Sequence, residues 1–274
     1  MFSKARTSLM LANNIYQGKN VLVTGGATGI GLTLAQSYAK LGANVMICSR
    51  NEERLQSAST THDNISYKIL DVRDLAGVAK FADEITESKQ LPDVVVNNAA
   101  GNFICPTEKL SLNAWNSVID IVLKGTFAIT HELGKRLITE KKSGVFLNIS
   151  TTYAETGSSY VVPSSVSKAA CNNLTKSLAS EWSKYGLRFH SIALGPIYTE
   201  GAFSRLDPDG TFQKQGISNL CIKRMGEKEE VANLATYLSS DYASWMTGCV
   251  INLDGGETVW KSGEFNQVNM QSNL

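Results

Sequence analysis

Ser164 and Lys168 stand four residues apart, a spacing that lets both point from one helix face into one site. A serine hydroxyl without activation is a far weaker acid than a phenol, whose pKa lies near 10. A phenol is at hand: Tyr153, eleven residues before Ser164 in Thr152–Ser158, just beyond a strand end, where the loop should border the same cleft. Asn102, in Ala100–Glu108, also lies just beyond a strand end, on the side where a cofactor would sit. Upstream, Thr24-Gly25-Gly26-Ala27-Thr28-Gly29-Ile30-Gly31 runs from an apolar strand into a helix. Glycines allow a tight turn and close backbone approach, and a helix N-terminus offers unpaired N–H groups to a pyrophosphate. A structural turn is the alternative reading.

The elements that must position these groups alternate. Expected strands are Asn20–Thr24, Asn44–Cys48, Ile65–Leu70, Val94–Asn98, Val145–Ile149, Arg188–Ala193 and Cys249–Leu253. Several are nearly continuous Val/Ile/Leu, as in strands covered on both faces. Helical patterns fall at Leu32–Leu41, Val78–Ser88, Val166–Lys184 and Glu229–Ser239, with Gly42 and Gly186 at C-cap positions. This order predicts one doubly wound α/β domain of the Rossmann type with a seven-stranded parallel sheet. We expect an N-terminal extension over 1–18, then the domain over 19–274 with a lid at about 196–225.

The second strand ends Cys48-Ser49-Arg50. An acid there would accept from the ribose 2′-OH of NAD; Arg50 instead suits the 2′-phosphate of NADP(H), unless it is only a solvated strand-end arginine. Asp71, after the third strand, could receive the adenine amino group, and Asn97-Asn98-Ala99-Ala100-Gly101 follows the fourth.

TGGATGIG, then NNAAG, then Gly195-Pro196-Ile197, with Asp254-Gly255-Gly256 closing the chain's last strand, resemble the short-chain dehydrogenase/reductase family from about Gln17 to Gly256. That resemblance implies cofactor contacts from Gly25, Gly26, Thr28, Gly29, Ile30, Arg50, Asp71, Asn98, Lys168, Gly195, Pro196 and Ile197. A standard member carries Tyr-x-x-x-Lys on the long helix, but here Ser164 takes the Tyr position, Val122 takes that of the relay Asn, and Thr151 stands at the usual Ser.

Asn97–Thr126 and Gly195–Phe212 resemble the mitochondrial-type 2,4-dienoyl-CoA reductases more closely. The resemblance implies NADPH-dependent reduction of 2,4-dienoyl-CoA to 3-enoyl-CoA in polyunsaturated fatty-acid degradation, by a homotetramer acting on a fatty acyl-CoA. By that pattern Tyr153 and Asn102 donate to the thioester oxygen, Lys168 holds the nicotinamide ribose, and Ser164 bonds near the nicotinamide or Lys168. Arg73, Phe103, Ser111 and Arg205 would contact substrate. Plainer roles exist: Tyr153 as a half-buried aromatic, Asn102 as a loop residue, Ser164 as a helix N-cap, Arg73 as a surface charge. A carbonyl or enoyl reductase, or a silent NADPH-binding protein, remain the alternatives.

With 26 basic and 25 acidic residues the net charge is +1, against a nucleic-acid binder that relies on a basic surface. No apolar run approaches the roughly 20 residues of a membrane span. Five scattered cysteines and three histidines give no metal motif, and each cysteine reads as core filling. Trp245 and Trp260 suit either subunit contacts or the core. No acid occurs before Glu52. The basic, acid-free first eleven residues resemble a short mitochondrial presequence, while the terminal Ser272-Asn273-Leu274 resembles a peroxisomal address.

Overall fold

A computed structural model describes residues 8–199 and 216–260. Residues 200–215 of the expected lid, Arg205 among them, the first seven residues of the presequence-like start and the terminal Ser272-Asn273-Leu274 lie outside the described residues.

Seven parallel strands run β1 (Asn20–Thr24), β2 (Asn44–Ser49), β3 (Ile65–Ile69), β4 (Val94–Asn97), β5 (Gly144–Thr151), β6 (Leu187–Leu194) and β7 (Cys249–Leu253). Their order across the sheet is β3-β2-β1-β4-β5-β6-β7. The order reverses between β1 and β4, and ligands of doubly wound folds bind in the crevice at such a switch point. β1 pairs in register with both neighbours, Val21 opposite Val45 on one side and Val94 on the other.

Alternation along β1 divides the core. Val21 and Val23 face one layer with α1 (Gly29–Lys40), α2 (Glu52–Ser59) and α8 (Lys228–Ser239). Leu22 faces the other with α3 (Leu75–Glu87), α5 (Gly125–Thr139) and α7 (Val162–Trp182). Burying both faces explains why the strands read as apolar runs rather than as alternating patterns. Ahead of β1, Leu9, Leu11 and Ile15 pack on the first layer, and buried Tyr16 donates to the Thr236 carbonyl of α8.

Several boundaries differ from expectation. The long helix α7 starts at Val162, four residues before the expected Val166, because Pro163 falls in its first turn, where a missing N–H costs nothing. β5 and β6 extend to Thr151 and Leu194, since ladder pairing continues through the polar Ser150 and Thr151. Of the cysteines, Cys48 and Cys171 are buried as expected, but Cys221 is exposed. It lies in the irregular segment beside Gly256, whose carbonyl its thiol approaches at 3.4 Å. Trp245 is fully exposed, which removes it from the core.

Candidate active site

In the turn from β1 into α1, Gly25, Gly26 and Gly31 stand where a Cβ would meet other atoms at 3.0 Å or less. Gly25 has φ +63° and donates its N–H to the Cys48 carbonyl at 2.7 Å. A Cβ on Gly31 would stand 2.3 Å from the Gly25 carbonyl oxygen. Asn98 fixes the same turn from β4: its Nδ2 donates to the carbonyls of Thr24 and Gly25, each at 3.0 Å. Thr24 Oγ1 in turn accepts the N–H groups of Asn98 and Ala99.

α1 therefore begins at the mouth of the crevice. Its N-cap Thr28 makes no side-chain cap bond, and no acid lies in the first turn. Unpaired N–H groups and the positive end of the helix dipole are left for an anion.

Gly25, Thr28, Gly29, Ile30, Arg50, Asp71 and Asn98 line this cleft together. Gly26 does not: it is buried against β2, where a Cβ would fall 2.6 Å from Ile47, so its smallness serves packing. Gly195 is clamped to β7, its N–H on the Leu253 carbonyl, with no space for a Cβ beside Asp254. Pro196 and Ile197 face a separate small cavity with Leu220, Ile222 and Arg224. Thr199, two residues further on, lines the main cleft and was missed, as were Ser49 and Ile121. Ser49 carried a readable signal, since it adjoins Arg50; in the fold its buried hydroxyl oxygen has no hydrogen-bond partner among the described residues. A solvent-facing guanidinium beside an orphaned hydroxyl, at the end of β2, is a donor pair suited to a phosphate.

Asp71 and Arg73, expected to serve two different ligands, bind each other. Arg73 donates through Nη2 to Oδ2 at 2.6 Å, through Nε to both carboxylate oxygens, and through its backbone N–H. Those bonds hold the Asp71 carboxyl below the usual carboxylate range.

Beyond β5 the chain turns at once into a short helix, α6 (Tyr153–Thr156). The Tyr153 hydroxyl shares a hydrogen bond with Ser164 Oγ at 3.2 Å, and its carbonyl accepts Ser165 Oγ–H at 2.8 Å. Ser164 is the third residue of α7 and not its cap, which is Val161. One turn along, the buried Lys168 donates through Nζ to the Ile149 carbonyl; burial pushes its pKa down from the usual lysine value. Val122, at the expected relay position, is buried within a π-turn, Asp120–Lys124, joining α4 (Leu112–Ile119) to α5.

Asn102 lies exposed on the loop after β4, with Oδ1 accepting the Phe103 N–H at 2.9 Å. No hydrogen bond joins it to Tyr153 or Ser164 among the described residues. Its loop is nonetheless tied to the one after β5, because Cys105 N–H donates to the Tyr160 carbonyl at 2.9 Å. Phe103 is half-buried on that loop, and Ser111 caps α4 by accepting the Ala114 N–H.

A doubly wound sheet with a glycine turn at its switch point and a buried lysine on the neighbouring helix defines a dinucleotide-binding scaffold of the oxidoreductase type. The family model described as Enoyl-(Acyl carrier protein) reductase matches residues 25–258. The chain belongs to the short-chain dehydrogenase/reductase family.

It is 44% identical over 271 residues to the Caenorhabditis elegans protein named "Probable 2,4-dienoyl-CoA reductase decr-1.2", described as (3E)-enoyl-CoA-producing, covering 96% of this chain and 87% of that one. It is 39% identical over 244 residues to a Bacillus subtilis (strain 168) protein named "Probable 2,4-dienoyl-CoA reductase", described as (2E)-enoyl-CoA-producing, covering 87% and 96%. Among solved structures, a gluconate 5-dehydrogenase from Burkholderia cenocepacia J2315 in complex with NADP and tartrate superposes with a TM-score of 0.84 at 27% identity, covering 90% and 98%.

Proposed function

We propose that this protein is an NADPH-dependent 2,4-dienoyl-CoA reductase that yields 3-enoyl-CoA in the β-oxidation of polyunsaturated fatty acids. The observation that carries this reading is the Tyr153–Ser164 contact at 3.2 Å, on the helix that also bears Lys168. A phenol has been moved from the long helix to the loop, while the lysine has stayed. Such a site suits an oxygen that gains charge without becoming an alcohol. The names of the C. elegans and B. subtilis relatives support the same substrate class.

The residues at the cleft fit NADPH. The first turn of α1 would hold the pyrophosphate, Arg50 and Ser49 the 2′-phosphate, and Lys168 the nicotinamide ribose. NADPH bound there supplies a hydride.

Addition of hydride at the δ-carbon of a 2,4-dienoyl thioester moves electron density through the conjugated system to the thioester oxygen. A proton taken at the α-carbon then leaves the double bond between the β- and γ-carbons, which is the 3-enoyl product. With Ser164 Oγ–H donating to the phenol oxygen, the Tyr153 proton is free for the thioester oxygen. Asn102, its Oδ1 already held by Phe103 N–H, has Nδ2 to offer the same atom. The lysine charge sits in a buried, low-dielectric place, where it favours the extended enolate. Phe103, Ser111 and Arg205 remain the proposed acyl-CoA contacts.

The test is NADPH oxidation with 2,4-hexadienoyl-CoA and chromatographic identification of the product. We expect turnover to the 3-enoyl thioester. Turnover of 3-oxoacyl-CoA alone would mark a carbonyl reductase, and NADPH binding without turnover a silent protein. A homotetramer belongs to the same proposal, and the exposed Tyr242 and Trp245 offer apolar surface for a neighbouring copy. Sedimentation velocity reads the copy number, and a monomer contradicts it.

A further inference from the structure

We infer that Glu257 is a positioning residue for Tyr153, acting through Thr152. At Thr152 the chain changes direction: β5 ends at Thr151, and Thr152 already has helical dihedrals, φ −60° and ψ −35°, as the N-cap of α6. The conformation of this one residue therefore sets the direction in which the next side chain, Tyr153, leaves the sheet. Thr152 is buried, and two of its hydrogen bonds tie it to distant parts of the chain. Its N–H donates to the Leu194 carbonyl at 3.0 Å, and its hydroxyl donates to Glu257 Oε2 at 2.8 Å. The second bond joins residues 105 positions apart in the chain. A hydroxyl donating to a carboxylate is charge-assisted, and so stronger than a neutral pair.

Glu257 can act as an anchor because its own backbone is fixed. It opens α9 (Glu257–Trp260), directly after the Asp254-Gly255-Gly256 turn. The Asp254 carboxylate accepts the N–H groups of Gly256 and Thr258 and the Thr258 hydroxyl, at 2.9, 3.0 and 2.7 Å. Gly195 N–H on the Leu253 carbonyl ties the end of β7 to the chain leaving β6. The closing turn is thus braced against the sheet, and its carboxylate reaches back to the peptide before the phenol. On the other side, among the described residues, Tyr153 makes a hydrogen bond to Ser164, and its carbonyl accepts from Ser165 and Gly157. Loss of the Glu257 acceptor frees the Thr152 side chain, and the residue that aims the phenol keeps its backbone bonds but loses its side-chain anchor. A displacement of roughly 1 Å at a reacting group costs up to about 10² in rate.

This inference rests on the role given to Tyr153 above, so its test has one arm that needs turnover and one that does not. In steady-state kinetics with NADPH and 2,4-hexadienoyl-CoA, Glu257→Ala should lower kcat about tenfold and leave KM within about twofold. Glu257→Gln should retain most of kcat, because its amide oxygen still accepts from Thr152. Thr152→Val should match Glu257→Ala, and the double variant should be no slower than either single one. Equal kcat for Glu257→Ala and the parent, or losses that multiply in the double variant, would overturn the inference.

The second arm places fluorotyrosine at position 153 and follows its fluorine resonance. Glu257→Ala should move or broaden the line, and Glu257→Gln should not; an unmoved line in both overturns the inference. A parent enzyme without turnover would sink the dienoyl-CoA reading, while the resonance still decides the role of Glu257.

Discussion

The Tyr153 phenol and the Ser164 hydroxyl lie 3.2 Å apart although they come from different elements, the short helix after β5 and the first turn of α7. Ser164 is buried and rigid in a helix, so it fixes the phenol rather than replacing it. In the proposed site this pair would supply the phenol that the long helix lacks.

Tyr153→Phe should leave NADPH affinity unchanged and lower turnover of 2,4-dienoyl-CoA by about 10² or more, the usual cost of removing one donor from a charged oxygen. Fluorescence titration reads the first quantity and steady-state kinetics the second. Unchanged turnover would take Tyr153 out of the site.

Arg50→Ala should weaken NADPH binding about tenfold or more, the scale of a charge-assisted hydrogen bond, and leave NADH binding nearly untouched. Ser49→Ala should do the same to a smaller degree. Equal losses for both dinucleotides would mean that Arg50 does not meet the 2′-phosphate.

Stability should fall in mild acid because of His190. Its ring is fully buried, with Arg188 Nη1 donating to Nε2 at 3.2 Å, and burial, then the Arg188 charge, pushes its pKa down to about 4. An unfolded histidine titrates near 6.5. Above that pH neither state carries the proton, and the native fold bears no penalty. As pH falls from about 6.5 to about 4, the unfolded chain binds a proton that the native state refuses, and up to about 3 kcal/mol of stability is lost. Urea unfolding across this window should show His190→Gln losing less than the parent. Parallel curves would contradict the assignment.

The glycine turn, the seven strands and the Ser164/Lys168 face were all legible in the residues, because each rests on local rules: backbone freedom, apolar runs and helical spacing. What was not legible depends on contacts made across the fold. Gly26 reads like its neighbours in the turn, yet it is buried against Ile47, a residue on another strand. Pro196 and Ile197, named with the cofactor contacts, line a separate small cavity, and Thr199 two residues on lines the main cleft, which only the path of the chain after β6 reveals. Arg73 shows the same limit, since only the folded turn reveals that its guanidinium lies on Asp71. Ser164 was open between a cap and a site residue until the start of α7 was placed.

Hydride delivery to the far end of a conjugated thioester can be followed with an isotope label. The enzyme is run with NADPH deuterated at the nicotinamide C4 and 2,4-hexadienoyl-CoA, and the label is located in the product by NMR. A 3-enoyl thioester with deuterium on the δ-carbon is expected. Deuterium on the β-carbon, on a reduced carbonyl carbon, or nowhere in the product would contradict it.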